Sequence, residues 1–327
     1  MRNETGSGVP LTKVGLILFI MSCLLAIAGC NSSQPKDQPG AAEPAKTPAS
    51  PALDLQKQHQ EAEQRLRPEI ETQRKQNETE AKQTLDQEAI AAVEQTEGAI
   101  KSIADNKKDD ALASIERATG KISVLLARNP ASALIPVGAE VVVIDSAPVD
   151  PKAIDQIVQR ATDATKQRDL PAARILLASL VSELRIRTTF LPLETYPLAL
   201  QQAAKLLDQG KNQDAGKVLL TALNTLVMVD RVIPIPLILA QAAIEAANSQ
   251  RQNKDVALTL LQTAKNEANR SRLLGYMSSD SEYKALDGEI SDLERAVKGT
   301  SDTSSMFSHL RDRISAFLKR QKEHEQH

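Results

Sequence analysis

A chain of 327 residues with 40 Lys and Arg against 42 Asp and Glu carries a formal charge of −2. It has no Trp, four Phe and three Tyr, and lacks both the basic face and the stacking aromatics that hold nucleic acid, which excludes nucleic acid as a partner. Gly is sparse while Ala, Leu, Gln, Glu and Lys abound, a helical composition with length for two average domains or one extended helical one.

In chain order, Arg2 and Lys13 precede an apolar run at 14–28, followed by Gly29 and Cys30. This is the layout of a signal peptide, and the run falls short of the ~20 residues of a spanning helix. Ile27-Ala28-Gly29-Cys30 resembles a bacterial lipobox, in which cleavage falls before the cysteine and a diacylglycerol joins its sulfur; a plain membrane anchor is the other reading. On the lipobox reading residues 1–29 are a lipoprotein signal peptide, Cys30 is the lipid attachment site, and the anchor makes the membrane a partner. Asn31, where Asp would retain a lipoprotein, resembles the sorting signal for the periplasmic side of the outer membrane; inner-membrane anchoring in the periplasm is the alternative. Cys23 and Cys30 are the only cysteines, so no structural disulfide or cysteine metal site is expected further along. His59, His309, His324 and His327 have no ligand-spaced neighbours and read as solvated, so no metal and no cofactor is expected.

Residues 30–52 are rich in Pro, Ala, Ser and Gln and read as a flexible tether. Residues 53–88 are polar; their few apolar positions hold no single heptad register. They read as an exposed helix interrupted near Pro68, or as partly disordered. From residue 89 the pattern changes to helical pairs. Residues 91–104 return through 111–126, 154–165 through 172–184, 198–207 through 215–227, and 237–247 through 256–268. The returning segments align as DALASI, PAARILL, DAGKVLL and DVALTLL. Asp110, Asp214 and Asp255 suit a helix N-terminus and Pro171 a first turn. Asp150-Pro151 likewise marks a helix start. The fold class predicted is mainly α: about four antiparallel helical hairpins. Residues 277–327 add two amphipathic helices and a charged tail.

Two stretches break the helical pattern. EVVVIDSA at 140–147 is a strand candidate, and LRIRTTFLP at 184–192 has the branched and aromatic residues of another. They are expected to pair antiparallel as a small two-stranded ribbon, with the first strand inserted after the first hairpin. IPIP at 233–236 cannot be interior helix and reads as an extended link whose Ile side chains plug an apolar groove.

EVVVIDSAP at 140–148, SELRIRTTFLPLETYPLAL at 182–200, VDRVIPIPL at 229–237 and the closing LLGY at 273–276 together resemble the YfdX family of bacterial envelope proteins. The resemblance covers roughly residues 89–317. It implies a mostly helical periplasmic protein associated with acid and drug stress and brings no catalytic residues with it. The lipobox and long tether depart from the family pattern.

Arg185 and Arg187 are two apart and share a strand face, so one of them is expected to meet Asp145 or Glu140 if the strands pair. That arrangement reads either as a structural ion pair or as an anion or ligand site. Tyr196, beside Glu194 and Thr195, reads as packed at a helix cap, with ligand contact as the second reading. Asp145, Arg185, Arg187 and Tyr196 are therefore the candidate residues for binding a ligand or partner. Ser146 has no G-x-S-x-G elbow around it, and neither a Walker loop, a Rossmann glycine set nor H-E-x-x-H occurs. The expectation is a non-enzymatic protein that binds a protein partner or small ligand in stress response, or a helical-repeat scaffold for envelope protein assembly, with homo-oligomerisation left open.

Overall fold

In the computed structural model the described residues are 51–130, 132–277, 280–299 and 302–323. The apolar run, Cys30 and the tether up to residue 50 lie outside them, as do His324 and His327.

Three successive units have the order helix, helix, strand. The first is α3 (Gln87–Ala104), α4 (Lys108–Arg128) and β1 (Leu134–Asp145). The second is α5 (Pro151–Lys166), α6 (Leu170–Ala178) and β2 (Ser182–Pro192). The third is α7 (Tyr196–Asp208), α8 (Asn212–Asn224) and β3 (Val227–Pro234). They are preceded by α1 (Pro51–Leu66) and α2 (Pro68–Gln83). After them come the hairpin α9 (Ile235–Ser249) and α10 (Lys254–Leu273), then α11 (Asp280–Lys298) and α12 (Ser304–Glu323). No described helix is long and apolar enough to cross a membrane.

The three units share one turn. Each pair of helices is joined by three residues whose middle member, Asn106, Arg168 or Gly210, has positive φ. The same two hydrogen bonds close each turn: Asn106 N to Ile103 O and Lys107 N to Ser102 O, Arg168 N to Thr165 O and Asp169 N to Ala164 O, Gly210 N to Leu207 O and Lys211 N to Leu206 O. This is the Schellman closure, which satisfies the last carbonyls of the first helix. Gly275, at φ 83°, ends α10 in the same way. At the helix starts, Asp150 accepts from Lys152 N with Pro151 behind it, and Asp169 accepts from Ala172 N with Pro171 in the first turn. Asp110, Asp214 and Asp255 lie in the first turns of α4, α8 and α10.

The strands form one antiparallel sheet in the order β1-β2-β3. The expected antiparallel pairing of the first two strands is present over Leu134–Asp145 and Ser182–Pro192, so the first strand begins six residues earlier than 140 and ends at Asp145; Glu140 lies opposite Arg187 and Asp145 opposite Ser182. Two expectations need correction. The sheet has three strands: VMVDRVIP forms β3 rather than the end of a helix, and its Asp230 pairs in register with Arg187; the IPIP stretch is divided between the end of β3 and the first turn of α9, with Ile233 and Ile235 both buried. A strand thus follows each of the first three hairpins, not only the first two. The returning helices are also shorter than expected. α6 stops at Ala178, where the Ser179 hydroxyl donates to Leu176 O, and α8 stops at Asn224, where Thr225 donates to Ala222 O. The branched residues beyond each stop then enter the sheet, where they pack better than in a helix.

One apolar core lies between the hairpins α3–α4 and α7–α8, and includes Ile122, Leu125, Leu191 and Leu219. The other gathers α9 to α12 against one face of the sheet through Val141, Leu184, Ile186 and Ile233. The polar stretch 53–88 is helical, breaks at Pro68, and is not wholly exposed. Leu66, Ile70 and Ala81 join the second core, and Arg231 donates to Asn77 of α2 (3.4 Å).

Candidate functional site: an open sheet face and a buried charged cluster

Because paired residues across a sheet share a face, the register divides the strands cleanly. Val141, Ile186 and Arg231 form one row on the covered face. On the opposite face the rows are Val142–Arg185–Val232 and Glu140–Arg187–Asp230. The middle of that face is open, between the buried Glu183 and Leu191 at the two ends of β2: Val142 is 39% exposed and the Arg187 side chain 42%. Met228 of β3 is 66% exposed. Arg187 grips Asp230 with two hydrogen bonds, Nε to Oδ1 at 2.7 Å and Nη2 to Oδ2 at 2.9 Å. These bonds hold the Asp230 carboxyl below its usual range. Glu140, on the other side of Arg187, adds to the attraction that raises the guanidinium. Arg185 Nε donates to Glu183 (3.0 Å) and lies 3.9 Å from Asp230.

Neither arginine meets Asp145, contrary to one of the pairings expected. Asp145 lies at the far end of β1, where its Oδ1 accepts from the Ser182 hydroxyl (2.8 Å) and Arg270 Nη2 (3.3 Å), and its Oδ2 from Arg67 Nη1 (3.0 Å). Arg67 also reaches Glu63 (3.3 Å), and Arg270 also reaches Glu267 (3.3 Å) and the carbonyls of Ala147 and Pro148. Arg270 and Glu267 are buried. Burial pushes the Glu267 carboxyl up to about 7, with Arg270 opposing and Glu63 and Asp145 adding repulsion. Beside this cluster the Tyr276 hydroxyl accepts from Ser182 N (2.9 Å) and donates to Glu183 (3.0 Å), while burial raises its own pKa.

Tyr196 belongs to neither place. It is fully enclosed in the core between α3–α4 and α7–α8, and burial lifts its phenol to about 12. Its hydroxyl has no hydrogen bond of good geometry; Thr96, which acts on it, already donates to Ala92 O (2.9 Å). The reading of Tyr196 as a packed residue at a helix start describes it, and a ligand contact there is closed off by the core. Ser146 ties the end of β1 to the α6 end through Ala178 O and Val181 O. Among the described residues no three His, Cys, Asp or Glu side chains are grouped to hold a metal ion.

The sequence reading missed Arg67, Glu63, Glu267, Arg270 and Tyr276. A signal for two of them exists: Glu267 and Arg270 interrupt a stripe of Leu261, Ala264, Ala268 and Ser271 that is otherwise small or apolar and buried. Charges flanking such a stripe mark an internal ion pair rather than a solvated face.

A family model described as "YfdX protein" matches residues 92–232. Those residues belong to the YfdX family. The match begins within α3 and ends within β3, so the YfdX region coincides with the three helix-helix-strand units. A structure of Salmonella Typhi YfdX is 13% identical, covering 46% of this chain and 93% of that chain, with a TM-score of 0.32. No curated protein matches the chain. The open face of the sheet lies wholly inside the YfdX region. The charged cluster straddles its boundary: Asp145 and Ser182 lie within, and Glu63, Arg67, Glu267 and Arg270 outside.

Proposed function

We propose that the protein is a non-catalytic envelope lipoprotein, anchored through Cys30, that binds a protein partner or small ligand on the open face of its sheet in acid or drug tolerance. The observation that carries the binding surface is the row Glu140–Arg187–Asp230, an alternation of charge flanked by Val142, Val232 and the exposed Met228. An exposed ion pair of this kind contributes little to stability. A guanidinium beside apolar side chains is, by contrast, the composition that recognition surfaces favour. The stress role rests on the family resemblance, and the lipid anchor on the residues before Cys30.

A second reading, a scaffold for envelope assembly, is favoured by a different observation. The hairpin α5–α6 leaves Leu170, Ile175 and Leu177 at 59%, 73% and 56% exposure, which suits a protein interface.

The test is co-purification from intact envelopes, with mass spectrometry of bound proteins and small molecules, comparing wild type with the Arg185→Gln/Arg187→Gln variant. Loss of a bound species with the circular dichroism spectrum unchanged supports the open face. Retention of every bound species removes the arginines from the site.

A further inference from the structure

We propose that α1 is a proton-linked latch, docked on α10 and the end of the sheet while the charged cluster there holds an extra proton, and loosened when that proton is lost. Three carboxylates, Glu63, Asp145 and Glu267, share two guanidiniums, Arg67 and Arg270. Fully ionised, the cluster keeps one uncompensated negative charge where Glu267 is 3% exposed and Arg270 1%. An unpaired buried charge is costly, and one bound proton cancels it.

The latch is α1 because its last turn and the residue that follows it supply one group of each sign, Glu63 and Arg67. Undocking it leaves the net charge of the remainder unchanged while opening Glu267 to water. Burial is the main cause of the raised Glu267 value, and the nearby Glu63 carboxylate adds to it. A contact that raises a carboxyl's pKa is, reciprocally, strengthened when that carboxyl is protonated.

The other elements packed on α10 bring their own charges. α9 carries Glu245 alone, hydrogen-bonded to Gln241; α11 turns Asp287 toward Lys265; α5 has Asp150, which caps its own helix, then Lys152, Asp155, Arg160, Asp163 and Lys166. Beside the cluster, β2 has Glu183, held by Tyr276 and Arg185. The groups acting on Glu267 are Arg270, Glu63 and Asp145. α1 and α10 both lie outside the YfdX region, so the latch is built from what flanks it.

Amide hydrogen exchange on the full chain, at about pH 5.5 and about pH 8 and corrected for the intrinsic pH dependence of exchange, reads the docking directly. Protection in α1 is expected to be several-fold lower at the higher pH, with α3 unchanged. Glu267→Gln, which keeps the shape without the charge, is expected to hold α1 equally protected at both. Glu63→Gln, which removes one carboxylate from the α1 side, is expected to shrink the pH response. Equal α1 protection at both pH values in the wild type overturns the proposal, whatever the variants do. So does a wild-type response retained in either variant.

Discussion

Arg270 Nη2 lies 3.3 Å from Asp145 Oδ1, joining α10 to the end of β1 across 125 positions of sequence. The same guanidinium donates to two backbone carbonyls and to Glu267, so its planar fork is used on several sides at once. Removing one partner of such a buried pair leaves the other uncompensated. Arg270→Met is expected to cost about 3–5 kcal/mol, read by urea unfolding. Arg270→Lys is expected to recover only part of that loss, since a single ammonium cannot reproduce the fork. Full stability in either variant would show the pair to be incidental.

The titration of the fold follows from two carboxyls shifted in opposite directions. Glu267 binds its proton more tightly folded than unfolded, so its contribution to stability is complete below the ordinary value of 4.5 and is lost as pH rises through about 7. Asp230 is lowered by its bonds from Arg187, so its contribution is present above the ordinary 3.8 and is lost as pH falls. The urea midpoint is therefore expected to climb as pH is lowered from about 7.5 to about 5 and to fall again below about 4. Glu267→Gln is expected to flatten the upper slope alone. A wild-type midpoint that rises between pH 5 and 7.5 would contradict the assignment.

The repeated turn makes a backbone prediction. Arg168 holds a left-handed conformation that costs a side-chain-bearing residue roughly 1–2 kcal/mol, and Gly210 occupies the matching place without that strain. Arg168→Gly is expected to stabilise by about 1 kcal/mol or less, and Gly210→Ala to destabilise by about 1 kcal/mol. A Cβ on Gly210 meets nothing within 4 Å, so the second effect is one of backbone alone. Thermal unfolding of the two variants checks both signs.

The helices were legible because their signals are local. Asp150-Pro151, Pro171 and the acidic first turns sit where capping physics places them. The pairing of β1 with β2 was legible because both carry branched residues in unbroken runs. β3 escaped because VMVDRVIP is short and continues the apolar spacing of α8; its strand identity comes from pairing with β2, which sequence periodicity does not record. The same absence hid the partner of Arg187, since Asp230 is 43 residues away on that strand. The charged cluster is assembled from α1 and the Arg67 that follows it, β1, β2 and α10, and no local pattern announces contacts at such separations.

The proposed lipid anchor makes a chemical prediction. Mature protein isolated from its native host is expected to begin at Cys30 and carry acyl chains detectable by mass spectrometry, and Cys30→Ala is expected to abolish them. Two or three chains, rather than one, would hold the protein stably at a membrane. An unmodified Cys30 thiol in native protein would remove the lipid anchor from the account.

The central claim is that the open face of the sheet is the binding surface, and site-directed photocrosslinking in intact envelopes tests it most directly. A photoreactive side chain is placed at Met228 on β3, and separately at Ile175 on α6, both exposed. The account predicts a discrete adduct from position 228 that disappears when Arg187→Gln is introduced beside it. Adducts from position 175 alone, or a position-228 adduct indifferent to Arg187→Gln, would contradict it.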